Sequence, residues 1–224
     1  MPDYDQTIER TENKSQHEQA VLVWDLLLRV FHWSLAMFFL TAYFLESRSL
    51  NLHVHVGYTI ALLVVFRVIW GLIGSDTARF SNFVVSPWQS LHYLAMMLKG
   101  VAAGNSKEQE QADESYEHTV GHNPAGAAMI VALLTMLLFT TLSGMALYGL
   151  EGTGPLANTF VMSWSGSLLA DVHDLSADLC LLLVILHILG VAFSSYFSQE
   201  NLTWSMITGY KKFSGHKLSE GEES

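Results

Sequence analysis

Charge is scarce in this chain, and cysteine is nearly absent. Only 14% of the 224 residues are charged, against about a quarter in an ordinary soluble domain. The single cysteine, Cys180, excludes an internal disulfide, a covalent CxxCH attachment and a cysteine-ligated iron–sulfur cluster within the chain. Basic residues are also unevenly spread, with no Lys or Arg in the 151–170 region. The net charge of −10 comes mostly from the tails and one loop, so no nucleic-acid partner is expected.

Apolar residues take the place of charge. They make up half the chain and gather in four long runs, roughly 26–46, 54–74, 124–149 and 172–196. Lipid cannot satisfy an unpaired backbone group, so a bilayer is crossed by helices of about 20 apolar residues. The expected fold is therefore all-α, an integral membrane four-helix bundle. Residues 1–20 are polar, and the first apolar run begins too late and runs too long for a cleavable signal, so it is expected to remain a span. With four spans, Arg29, Arg67, Arg79, Lys99, Lys107, Lys211, Lys212 and Lys217 share one side, and Arg48 alone takes the other. The positive-inside rule then puts both termini in the cytoplasm.

Between the second and third spans lies a long connection, 75–123. Its segment PWQSLHYLAMML (Pro87–Leu98) has Pro at a helix start and an amphipathic pattern, which predicts a helix lying in the membrane interface. Residues 104–118 are polar and acidic. The division reads as a polar cytoplasmic tail over 1–20, a membrane domain over 21–212 and a second cytoplasmic tail over 213–224.

Ten histidines are present. His17, His92, His118, His122 and His216 fall in tails or the long connection and read as solvated side chains, with His122 also placed to cap the third span. The other five are different. His32 lies inside the first span, His53 and His55 open the second, and His173 and His187 lie on the fourth. Ionisable groups inside a span are costly and are read first as functional. His173 and His187 are 14 residues apart, which puts them within about 40° of one another on the helix and about 21 Å apart along it. Antiparallel spans place His32 at the depth of His187, and His53 or His55 at the depth of His173. His53 and His55 point about 160° apart, so only one of them faces inward, and spacing alone does not say which. Two cross-helix imidazole pairs suit the two axial positions of haem iron. Zinc favours a compact set of Cys, His and carboxylates, unlike two separated pairs, although Asp174 and Asp178 lie next to His173 on the fourth span.

The segments that carry these histidines resemble the bacterial cytochrome b561 family, especially the b-type cytochrome subunits of nickel–iron hydrogenases. VWDLLLRVFHW (Val23–Trp33) is similar to the family's opening motif, with His32 as its haem ligand. LHVHVGY (Leu52–Tyr58) is similar to its H-x-x-x-G motif, whose glycine, Gly57, selects His53 over His55. VHDLSADLCLLLVILH (Val172–His187) is similar to the helix with the paired histidines. Phe66–Val84, Gly121–Ala127 and Glu200–Lys212 resemble family segments without a ligand role, so the likeness covers about 21–212. The 104–118 insert and His55 depart from it.

The resemblance implies two b haems stacked across the bacterial inner membrane. It also implies electron exchange between quinone and a periplasmic partner, either a c-type cytochrome or a hydrogenase. Arg29 and Arg67 are candidates for haem propionates, with snorkelling to lipid headgroups as the competing role. Gly57 is a candidate for close porphyrin approach, against simple helix packing. Phe31, Trp33, Tyr58 and Phe66 are candidates to line the haem edges, and Trp164 to support the outer one. Self-association is left open. Two other readings compete: a superoxide:quinone oxidoreductase, disfavoured by the few outer cations, and a non-redox metal-binding membrane module.

Overall fold

The computed structural model describes residues 18–46, 48–76, 78–84, 86, 88–90, 92–93, 95–96, 99, 124–197 and 201–214. Four helices are long and apolar enough to cross a membrane: α1 (Leu26–Leu45), α2 (Leu50–Ile73), α4 (Pro124–Leu150) and α5 (Gly166–Phe197). A short α3 (Phe80–Phe83) follows α2, and α6 (Leu202–Thr208) follows α5. The spanning core is thus wholly helical. Two five-residue strands, β1 (Glu18–Leu22) and β2 (Tyr210–Ser214), pair antiparallel outside it, with Leu22 opposite Tyr210. That ribbon has no counterpart in the sequence reading. It draws both ends of the membrane domain to one side of the bundle, the tail side below.

Large apolar side chains cover the outside of the bundle. Phe44 and Leu62 are each 69% exposed, and Leu72 and Ile73 are comparably open. An exposed surface of this kind is stable against hydrocarbon but not against water. Inside, Phe39, Val56, Ile60, Val64, Leu137 and Cys180 form the main core cluster. Cys180 is fully buried there as a free thiol, consistent with an inert packing role.

The helices close only part of a ring. Backbone packing runs from α1 to α2, from α2 to α4 and from α4 to α5. Toward α1 and α2, α5 makes no comparable backbone approach. Space for more than interdigitated side chains is therefore left on the face of α5 that carries its histidines. Helix α5 also starts six residues before the apolar run does. Hydropathy marks only the stretch that meets lipid, whereas Ser165 begins the helix, with its carbonyl accepting from the Leu169 N–H at 3.0 Å.

The tail side is held by polar contacts. Asp25 caps α1, its Oδ1 accepting from the Leu28 N–H at 2.7 Å. Its other oxygen accepts from the Ser75 hydroxyl and from Trp70 Nε1–H. Gly209 ends α6 at φ 90°, a left-handed conformation that suits glycine, and its carbonyl accepts from the Val23 and Trp24 N–H groups. After α3, the described residues between 88 and 99 are helical. Trp88 is 80% exposed and Tyr93 1% exposed, in keeping with an amphipathic segment. The acidic 104–118 stretch and His17, His118, His122 and His216 lie outside the described residues.

Burial pushes the Asp25 carboxyl up, but the hydrogen bonds from Ser75, Leu28 and Trp70 outweigh it and hold the group below its ordinary value. A depressed carboxylate contributes stability that is complete above its unfolded value of about 4 and is lost as pH falls through the lower folded value. Asp25→Ala is expected to cost about 1–2 kcal/mol as a lost helix cap. Thermal unfolding in detergent, followed by circular dichroism, checks this: the gap between the two proteins should be full at neutral pH and narrow on acidification.

Candidate haem-ligand pairs

The histidines of the spans meet in two pairs. On the tail side, the His32 ring of α1 faces the His187 ring of α5, with centroids 6.4 Å apart. On the far side, the His53 ring of α2 faces the His173 ring of α5, with centroids 6.2 Å apart. Two imidazoles bonded at about 2.0–2.1 Å to opposite sides of one metal ion have centroids about 6 Å apart. Each pair is therefore spaced to take one ion between its rings. Among the described residues, no group of three or more His, Cys, Asp or Glu side chains converges as a metal site. The arrangement is two facing imidazole pairs, not a zinc-like cluster.

Hydrogen bonds orient the far-side rings. His53 Nδ1 lies 3.0 Å from the Ala42 carbonyl oxygen of α1. His173 Nδ1 lies 3.1 Å from the Thr140 carbonyl oxygen and 3.1 Å from the Ser143 hydroxyl, both on α4. A carbonyl oxygen accepts only, so each Nδ1 carries its proton and each Nε2 keeps a free lone pair. Neutral Nε2 is the ligand form of histidine. His55 turns elsewhere: it is exposed, and its Nδ1 lies 2.6 Å from the carbonyl oxygen of Asn51 in its own helix.

Close approach of α4 and α5 at this point requires glycine. A Cβ added at Gly144 would stand 2.8 Å from His173 Cε1 and 3.2 Å from its Nδ1. Gly57 has the opposite surroundings: it is half-buried, yet a Cβ there would meet nothing within 4 Å. Open space therefore lies against the α2 backbone one turn from His53.

The two arginines are engaged at the tail side. Arg29 Nη1 donates to the Thr208 carbonyl oxygen at 2.8 Å, while its buried Nε has no partner. Arg67 is 3% exposed; it donates to the Ala78 carbonyl oxygen at 3.1 Å and lies 4.6 Å over the Phe80 ring. Of the aromatic candidates, Trp33 meets His32 edge-on at 5.2 Å, and Phe31 meets Phe66 at 6.4 Å. Tyr58 buries a hydroxyl that has no partner. Trp164 stands half-exposed against Phe160 in the far-side loop.

Thr140, Ser143, Gly144 and the Ala42 carbonyl escaped the sequence reading. The run Thr140–Gly144, TTLSG, is a patch of small and polar residues in an otherwise apolar span, and was the one available signal for three of them. A backbone carbonyl such as that of Ala42 has no residue signature at all.

Four spanning helices, three of which bring four histidines into two facing pairs, fit the class of b-type membrane cytochromes. The pattern of the family described as prokaryotic cytochrome b561 matches residues 23–209, and the chain belongs to that family. It is similar to the probable Ni/Fe-hydrogenase B-type cytochrome subunit of Rhizobium leguminosarum bv. viciae, at 27% identity over 89% of this chain and 92% of that protein. The probable Ni/Fe-hydrogenase 1 B-type cytochrome subunit of Escherichia coli (strain K12) is 23% identical, covering 95% of this chain and all of that protein. The probable subunit of Azotobacter chroococcum mcd 1 is 24% identical over 90% and 92% of the two chains. No solved structure gives a significant match. The protein is thus a multi-pass membrane cytochrome of electron transfer, and the family implies haem b. The residues fit that group in ring spacing, in histidine tautomer and in the open space beside Gly57.

Gly144→Val is expected to displace the His173 ring and lower the haem bound per polypeptide. A pyridine haemochrome assay against protein concentration measures it, and unchanged haem content would remove Gly144 from the site.

Proposed function

We propose that the chain is a di-haem electron conduit in the bacterial inner membrane, with His32 and His187 binding one b haem and His53 and His173 the other. The observation that carries this reading is the ring spacing, since both pairs stand apart by the span of a single coordinated ion. Haem b, when bound, supplies a one-electron ferric–ferrous couple. The protein's part would be to hold the group between neutral imidazoles, His32 with His187 and His53 with His173. At the far side, the Ala42 and Thr140 carbonyls fix the ligand tautomer. At the tail side, Arg29 retains a buried, unpartnered Nε–H, suited to a propionate, whereas the guanidinium of Arg67 is already committed to the 78–80 turn.

The electron partners follow from the relatives. Their names describe hydrogenase subunits, so the reading takes a hydrogenase on the periplasmic side as the partner, with a c-type cytochrome as the other candidate. Membrane quinone completes the exchange. The positive-inside distribution puts the tail side in the cytoplasm and His53 with His173 toward the periplasm.

Two measurements test this. A reduced-minus-oxidised spectrum with a pyridine haemochrome count is expected to give two haems b per chain. His53→Ala is expected to remove one haem and His55→Ala none; the opposite result would overturn the ligand assignment.

A further inference from the structure

The two pairs differ in what stands behind the ligands. Both far-side histidines direct Nδ1 at a backbone carbonyl, at 3.0 Å for His53 and 3.1 Å for His173. On the tail side, His32 Nδ1 is buried with no hydrogen-bond partner. An Nδ1–H donated to a carbonyl makes the imidazole a stronger electron donor at Nε2 and so favours the ferric state. An imidazole without that acceptor is the weaker donor.

Fixed charge is distributed in the same sense. At the far side, Glu46 ends α1 one turn after Ala42, and Asp174 adjoins His173. Arg48 is the cation of the short turn there. The tail side places Arg29 one turn from His32 and buries Arg67 in the adjoining half of α2. Asp25 is also present at that end, a single anion held by hydrogen bonds from Leu28, Trp70 and Ser75 against the two arginines. Cations near a redox centre favour the state with the added electron, and anions oppose it.

Resting on the di-haem reading, we infer that this asymmetry gives the haem held by His53 and His173 the lower reduction potential and the haem held by His32 and His187 the higher. Thr140 and Ser143 of α4, together with the Ala42 carbonyl, are then positioning groups that tune the far-side site. The resulting gradient favours passage from the far side to the tail side, a direction the residue pattern alone leaves open.

A spectroelectrochemical titration of the full-length protein in detergent tests the inference without any assay of turnover. Two separate one-electron waves are expected. His53→Ala or His173→Ala should abolish the lower wave, and His32→Ala or His187→Ala the upper. Coincident waves, or the reverse assignment, would overturn it. Should the ligand variants fail to fold, Glu46→Gln and Asp174→Asn leave all four histidines in place. Each is expected to raise the lower wave and leave the upper unmoved, and a shift confined to the upper wave, or equal in both, counts against the inference. Fewer than two haems in the unmodified protein would sink the di-haem reading itself, a result distinct from two haems with the wrong order of potentials.

Discussion

An imidazole inside a hydrocarbon layer has no water to solvate it, so it must find a hydrogen-bond partner, a metal ion or both. Much of the bundle's design follows from α5 carrying two such rings at 173 and 187 and presenting both on one face. Each needs an opposite number at its own depth, and α1 and α2 supply His32 and His53. Because α5 stands off from α1 and α2 while packing on α4, the paired rings face one another across a gap instead of burying their edges in a close-packed seam. The apolar cluster around Phe39, Val64 and Cys180 lies within the bundle core, with Cys180 seven residues from each α5 histidine.

Helix α4 carries no histidine, yet it has a large part in the far-side site. Its Thr140 carbonyl and Ser143 hydroxyl address His173, and Gly144 makes room for the ring. The same short segment therefore sets orientation, tautomer and distance. Such a division of labour, with the ligand on one helix and its orienting groups on another, is how a metal site gains geometry that a single helix cannot impose. On the tail side the polar groups serve cohesion. Asp25 binds the start of α1 to Trp70 and Ser75, Arg29 reaches the end of α6, and the β1–β2 ribbon joins the two tails.

The spans, the histidine layers and the 14-residue spacing on α5 were legible in the residues. Lipid imposes a length and a hydropathy that few other environments require, and helical periodicity converts spacing into depth and direction. The resemblance of three histidine-bearing segments to the cytochrome b561 family was legible too, and the family match bears it out. The start of α5 was less so, because its first residues are helical without being strongly apolar. The β1–β2 ribbon went unforeseen, since its pairing depends on chain ends far apart in sequence.

By itself, then, the sequence determined the class of the protein: four membrane helices with ionisable rings too costly to be incidental. It could not say which of His53 and His55 faces α5, and only the family resemblance favoured His53. Tertiary packing places His53 opposite His173 and turns His55 to the Asn51 carbonyl. Packing also decided what stands behind each ring, the carbonyls of Ala42 and Thr140 on the far side and no partner for His32 Nδ1 on the tail side. The reason is physical: every residue carries the same backbone carbonyl, so which one meets an imidazole is settled only when helices dock.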